Sequence, residues 1–297
     1  MTITLIAGGY RVVVDPAGGG VILSLDWQAK TGTWSALFAP ADGSVPPFKA
    51  GCFTMLPFAN RIKKGRFGFD GREIVLSVNL PDEGMAIHGF SREHPWRVAS
   101  LNDAKLFLEQ NFASVGNLYQ YVAQQEIGLS EQGLRIGLSI RNTGEHTLPF
   151  GMGLHPWFVK TPRTTLSFGS SGAFERDEAG LPLPKRVETP IFRSEAPESL
   201  GELPYFDRFF PEWSPFLARI CRPEEGLAIT LEADGALRHL HVFVPDNRPV
   251  FCAEPVSHAP DVVNRPELGE SNAMAVLQPG DTLSGAMTVR AENYLPS

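Results

Sequence analysis

Alternation with a period of two runs through most of the chain. In LRIGLSIRNTG, Leu134, Ile136, Leu138 and Ile140 fall on one face, Arg135, Ser139 and Arg141 fall on the other, and Asn-Thr-Gly ends the run. That is the pattern of a strand with one face on a core and one in water. Upstream, Tyr119, Tyr121, Ala123, Gln125, Ile127 and Leu129 alternate likewise, and the Ser-Glu-Gln-Gly between the two runs predicts a hairpin. Similar short runs, YRVVVDP, GVILSLDW, REIVLSVNL, LAITLEAD, LHVFVPD and SGAMTVRA, are each bounded by Gly, Pro, Asp or Asn. No helical period persists beyond about 12 residues, and 29 Gly and 25 Pro punctuate the chain. The expected fold is therefore all-β, an antiparallel sandwich or barrel, in one continuous domain over residues 1–297. The stretch from Phe174 to Phe216, rich in Pro, Glu and aromatics, reads as a long excursion over one sheet face.

Charge and composition narrow the partners. A net charge of -7 argues against affinity for nucleic acid or an anionic membrane, because both need a basic surface. The amino terminus has no basic segment before its short apolar stretch, and no run approaches roughly 18 apolar residues, so neither export nor a membrane span is expected. Three widely spaced cysteines, Cys52, Cys221 and Cys252, each beside apolar residues, fit buried thiols in the cytoplasm. There is no GxxxxGK[ST] loop, no GxGxxG after a strand, no CxxC, no HExxH and no GxSxG, which removes the usual signatures of phosphoryl transfer, hydride transfer, zinc and serine chemistry. His239 and His241 share one strand face as metal ligands often do, yet no third ligand stands nearby, and they read as structural or surface residues.

Polar groups interrupt apolar sequence in four places. Asn60 and Arg61 follow Leu-Pro-Phe-Ala and precede a Gly-rich hairpin from Gly65 to Gly71; the guanidinium suits a carboxylate or sugar hydroxyls. His88 precedes Gly89, a residue that lets another backbone or a ligand come close. Taken alone, His88 reads as a buried, hydrogen-bonded core histidine, whereas His155, in GLHPWF, is either a satisfied core histidine or a proton donor. Glu254 ends an apolar strand in FCAEPVSHAP, followed at once by Pro255. His258 and Asp261 read as loop residues, and Lys63, Lys64 and Arg66 as a solvated basic hairpin or a counter-charge for a phosphate.

Taken in order, NRI with GxFxFxG at Asn60 to Gly71, the His88–Gly89 pair, GLHPWF at Gly153 to Phe158 and AEPVSHAPDVVN at Ala253 to Asn264 resemble the aldose 1-epimerase, or galactose mutarotase, family. The resemblance implies a single large antiparallel supersandwich that interconverts the α and β anomers of a free aldose without cofactor or metal. It implies Glu254 as base, His155 as acid, His88 as a second active-site histidine, and Arg61 and Asp207 (in LPYFDRFF) as sugar-binding groups, with Asn60 as a wall residue. From ordinary pKa values, Glu254 would be ionised and His155 held protonated by a carboxylate. Trp157, Phe158 or Phe206 would pack on the sugar. Trp157, Phe158 and Val159 stand where relatives frequently carry a Tyr or Phe pair and then Asn, which leaves galactose, glucose, arabinose and xylose all open. Two other functions fit the same fold: a non-catalytic sugar-binding or sugar-sensing protein, and a sugar-phosphate mutarotase.

Overall fold

The alternating runs become strands because each can bury one face only by pairing and stacking. Gln120–Ser130 and Gly133–Asn142 form the expected hairpin, with Leu134, Ile136, Leu138 and Ile140 buried and Arg135 and Arg141 exposed. The computed structural model describes all residues except 47, 115, 188–191, 193–198, 202 and 295–297. Two large antiparallel sheets dominate it. One has the spatial order Arg97–Leu101, Lys105–Ala113, Gln120–Ser130, Gly133–Asn142, Thr282–Asn293, Leu227–Gly235, Leu217–Arg222 and Thr165–Phe168. The other runs Ile3–Ala7, Tyr10–Asp15, Val21–Gln28, Cys52–Met55, Gly153–Val159, Val250–Val256, His239–Val244 and Phe206–Phe210, with Trp34–Ala36 beside Val21–Gln28. One apolar core draws residues from both sheets. This is the antiparallel sandwich that the alternation predicts. The helices among the described residues are single 3-10 turns, and none is long and apolar enough to cross a membrane.

The middle of the second sheet departs from simple alternation. Cys52–Met55 and Val250–Val256 are buried at every position, and Gly153–Val159 at every position but its last. Such strands are covered on both faces, here by the core on one side and by loop-borne side chains on the other. Polar residues on these strands are therefore withdrawn from water, which decides the chemistry below.

Two local devices hold this arrangement. The Tyr10 hydroxyl, buried between the sheets, donates to the Ala291 carbonyl at 3.3 Å and accepts from the Ala291 amide at 2.9 Å, joining one sheet to the other. Gly89 sits at φ +66° with the Leu56 carbonyl only 1.9 Å from where a Cβ would stand, so the glycine is required by backbone approach. The Phe174–Phe216 stretch is more ordered than the long excursion expected. Ala173–Arg176 pairs with Pro182–Val187, and Phe206–Phe210 is an edge strand of the nine-stranded sheet. Its remaining parts, 188–191, 193–198 and 202, lie outside the described residues. REIVLSVNL is a strand only over Arg72–Val75, which pairs with Arg66–Phe69 to make the expected Gly-rich hairpin.

Removing the Tyr10 hydroxyl leaves a buried amide and carbonyl of Ala291 without their partner. Tyr10→Phe is expected to destabilise the fold by about 1–3 kcal/mol. Urea unfolding would show this as a lower midpoint at unchanged slope.

Candidate active site

Sheet register assembles the floor of the site. On one face of the nine-stranded sheet, Phe53 stands opposite His155, and His241 opposite Glu254. The pairing of Gly153 with Val256 and of Trp157 with Cys252 brings His155 opposite Glu254. The result is a cross-strand row, Phe53, His155, Glu254, His241. Two residues along each strand lies a second row on the same face, Trp157, Cys252, Phe243, Asp207. Five strands, several of them distant in sequence, thus present a continuous polar and aromatic surface. Asn60, Arg61, Glu83, His88 and Arg92 close it from the side, leaving a cavity of about 290 Å³, near the lower end of the usual range for small-molecule sites.

All five residues singled out from the sequence line this cavity: Arg61, His88, His155, Asp207 and Glu254. Asn60 lines it too, and its side-chain oxygen accepts the Arg61 amide at 2.9 Å. His155 Nε2 lies 3.4 Å from a Glu254 carboxyl oxygen, while His155 Nδ1 and the other Glu254 oxygen are buried without partners. The His155 ring is stacked between Phe53 at 4.5 Å and Trp157 at 5.2 Å, and His88 meets it edge-on at 5.1 Å. His88 has φ +60°, and its Nδ1 accepts the Asn60 amide at 3.2 Å, which leaves Nε2 to carry the proton of the neutral ring.

Burial reverses the charge states that ordinary pKa values suggest. It pushes the Glu254 carboxyl well above 4.5, the nearby charge of Asp207 adds to this, and Arg61 partly opposes it. It pushes His155 well below 6.5, with Arg92 and His241 acting the same way. His88 is lowered for the same first reason, and further by its proximity to His155, Arg92, Arg61 and His241. Burial thus works against both the ionised Glu254 and the protonated His155 that ordinary pKa values suggest. Desolvation penalises separated charge and favours the neutral arrangement of a single proton shared between the two.

Asp207 shows the opposite outcome. Burial alone would raise it, but hydrogen bonding to His241 Nε2 at 2.6 Å, and the charges of His241, Arg176 and Arg61, hold it well below the usual carboxylate range. Arg176 reaches its second oxygen at 3.0 Å, the Tyr205 hydroxyl donates to that oxygen at 3.1 Å, and Arg61 stands 3.8 Å away. Arg61 is itself clamped by Glu83, with contacts of 2.7 and 3.2 Å. Asp207 is thus a permanent anion in a ring of donors.

Several expectations need correction. Of the structural and surface readings of the HxH pair the structural one holds: His241 is buried facing Asp207, while His239 accepts the Glu212 amide at 3.0 Å. Phe158 lies behind the sheet against Phe38 and Phe251, and Phe206 packs on Phe192; of the three aromatics proposed for the sugar, only Trp157 lines the cavity. Lys63, Lys64 and Arg66 are exposed, lie outside the lining, and Arg66 pairs with Glu73. His258 and Asp261 are loop residues but fully buried. His258 Nε2 accepts the Ala59 amide at 3.0 Å, Asp261 accepts the Lys63 amide at 2.9 Å, and the Asp261 amide donates to the Arg61 carbonyl at 2.8 Å. Together they fix the backbone that carries Arg61.

Arg176, Tyr205, Glu83, Phe53 and Arg92 carry no motif that marks them in the sequence; of the unassigned lining residues only His241 had a signal, the HxH. His155, Cys252 and Glu254 bring one donor atom each within 4.8 Å of one another. Burial pushes the Cys252 thiol well above its ordinary range, so it is protonated and a poor metal ligand.

Comparison with known proteins agrees with this architecture. A family profile described as aldose 1-epimerase matches residues 1–290. The chain is 33% identical to the uncharacterised protein YphB of Escherichia coli K12 over 308 residues, spanning 98% of this chain and 99% of that one. A crystal structure of an aldose 1-epimerase candidate from Escherichia coli K12 superposes with a TM-score of 0.87 at 31% identity, covering 99% of both chains. A galactose mutarotase-like protein from Clostridium acetobutylicum gives 0.85 at 18% identity, over 98% of this chain and 95% of that one, a likeness of fold alone. Sequence, fold and family profile converge: the chain belongs to the aldose 1-epimerase family.

Proposed function

We propose that the cavity interconverts the α and β anomers of an aldose by ring opening and reclosure, with Glu254 as base, His155 as acid, and Arg61, His88 and Asp207 holding hydroxyls. One observation carries this reading: a buried carboxyl and a buried imidazole, 3.4 Å apart, each with an unpartnered polar atom, on adjacent strands of a rigid sheet. Opening a hemiacetal requires exactly such a pair, since a proton leaves the anomeric hydroxyl while another reaches the ring oxygen.

In the forward step a Glu254 carboxylate takes the O1 proton and a protonated His155 gives one to the ring oxygen. The C1–O5 bond breaks and the C1 carbonyl forms. The open chain leaves Glu254 protonated and His155 neutral, the distribution that burial favours. Burial of the pair therefore stabilises the ring-opened side of the step. Rotation about C1–C2 and return of both protons give the other anomer. Asp207, fixed as an anion, accepts from sugar hydroxyls, Arg61 donates to them, and Trp157 and Phe243 offer apolar surface. Holding the sugar in place turns binding into orientation.

Glu254→Gln and His155→Asn are each expected to lower kcat by about 10²–10⁴-fold without loss of folding. Polarimetry on freshly dissolved α-anomers of galactose, glucose, arabinose and xylose measures this; no acceleration by the wild type would instead indicate a sugar-phosphate substrate or a protein that only binds sugar. The active pair holds one proton, whichever partner carries it. At low pH neutral His155 gains a second proton, with a pKa below 6.5; at high pH Glu254 loses the shared one, with a pKa above 4.5. A bell-shaped kcat/KM profile is expected, its acid limb falling below pH 6.5.

A further inference from the structure

Arg61 and Asp207, the opposed charges of the cavity wall, come from elements that do not pair with each other. Arg61 opens the short strand Arg61–Lys63, which forms a two-stranded sheet with Met85–Ile87, and Asp207 lies on Phe206–Phe210 at the edge of the nine-stranded sheet. Their guanidinium and carboxylate stand 3.8 Å apart, beyond hydrogen-bond reach, so this contact alone does not fix one against the other. A route through Arg265 does. The Arg265 side chain is 12% exposed, lies outside the cavity lining, and divides its fork among three acceptors: Nε donates to Asp261 at 3.2 Å, Nη1 to the Pro182 carbonyl at 2.8 Å and Nη2 to Asp177 at 2.7 Å. Asp261 grips the strand of Arg61 at both ends, through the Arg61 carbonyl and the Lys63 amide. Asp177 and Pro182 bound the turn of the hairpin Ala173–Arg176 with Pro182–Val187, where Asp177 also accepts the Leu181 amide at 2.9 Å.

The same hairpin carries Arg176. Its Nε donates to the Gly180 carbonyl in the turn at 2.8 Å, its Nη1 to the Asp207 carbonyl at 3.0 Å, and its Nη2 pairs with the Asp207 carboxylate at 3.0 Å. Among the described residues the hairpin is a two-stranded sheet of its own, so these two arginines, with Phe174 stacked on Phe209 at 6.0 Å, tie it to the site. The circuit closes: Arg61 backbone, Asp261, Arg265, hairpin turn, Arg176, Asp207. We propose that Arg265 is a positioning residue for the sugar wall: by holding the hairpin turn to Asp261 it sets the spacing of Arg61 and Asp207, and hence the affinity for sugar, without touching the sugar. This rests on the anomerase reading above, which makes those two residues the sugar's partners. Glu254 and His155 stand on Val250–Val256 and Gly153–Val159, inside the sheet and outside this circuit. Loosening the circuit therefore weakens ground-state and transition-state binding alike and spares the chemical step.

Saturation kinetics by exchange NMR on galactose, glucose, arabinose and xylose, with calorimetric titration of the same sugars, test it. Arg265→Met keeps an unbranched stem and removes the fork; KM and Kd are expected to rise about tenfold with kcat and its pH profile unchanged. Arg265→Lys keeps the charge but cannot reach three acceptors, and recovers only part of the loss. Asp177→Asn, at a side chain 25% exposed, cuts the hairpin end of the tie alone; it is expected to act in the same direction and serves if Arg265→Met does not fold. Adding Arg265→Met to Arg176→Met is expected to weaken binding no further than Arg176→Met does, since both cut one route. A lowered melting temperature with KM and Kd unchanged would make the tie purely structural and overturn the proposal, as would additive effects of the two arginines. Weakened binding in the variants of a wild type that turns over no sugar would remove the anomerase reading and leave the tie standing; a wild type that binds none of the sugars would overturn both.

Discussion

Desolvation of Glu254 and His155 is the constraint on which the rest of the site depends. A carboxyl at this depth cannot ionise freely, and an imidazole beside it cannot hold a charge alone, so the two share one proton. That sharing requires both side chains to be fixed, and strands covered on both faces fix them. Asp207 is equally deep but stays ionised, because His241, Arg176, Tyr205 and Arg61 surround it with donors. Two carboxyl groups in one cavity thus hold opposite states, set by their neighbours rather than by residue type.

Much of the fold was legible because alternation has a direct physical cause. The hairpin around Glu131 and Gln132 and the buried faces of both its strands follow from a period of two and a polar turn. The long Phe174–Phe216 stretch was misread because Pro and Glu density says little about pairing, and a short strand such as Phe206–Phe210 is defined by its partner, His239–Val244. Which strands pair across the sheet is set by register between segments a hundred residues apart, and no local pattern records that.

The site was legible where polar residues broke apolar sequence. Glu254, His155, His88 and Arg61 stand out for that reason, and Asp207 joins them through the family resemblance. Arg176 and Arg92 carry no local signal, since only the fold shows that one reaches Asp207 and the other lies over Phe48 and Phe53. The charge states were beyond reach from sequence, because desolvation is a property of depth. His258 and Asp261 illustrate the same point: loop residues by pattern, they are buried ties by position.

Those ties span most of the chain. The bond from the Lys63 amide to Asp261 closes a loop of 198 residues, and that from the Ala59 amide to His258 one of 199. The neighbouring central strands, Cys52–Met55, Gly153–Val159 and Val250–Val256, are each about a hundred residues from the next. Contacts so distant in sequence form late and slowly, after the local hairpins that support them. During synthesis Arg61 and His88 precede Glu254 by more than half the length of the chain, and His155 by about a third. Val250–Val256 is the last strand of its sheet in chain order, so Glu254 is the last of the cavity's polar groups to be synthesised.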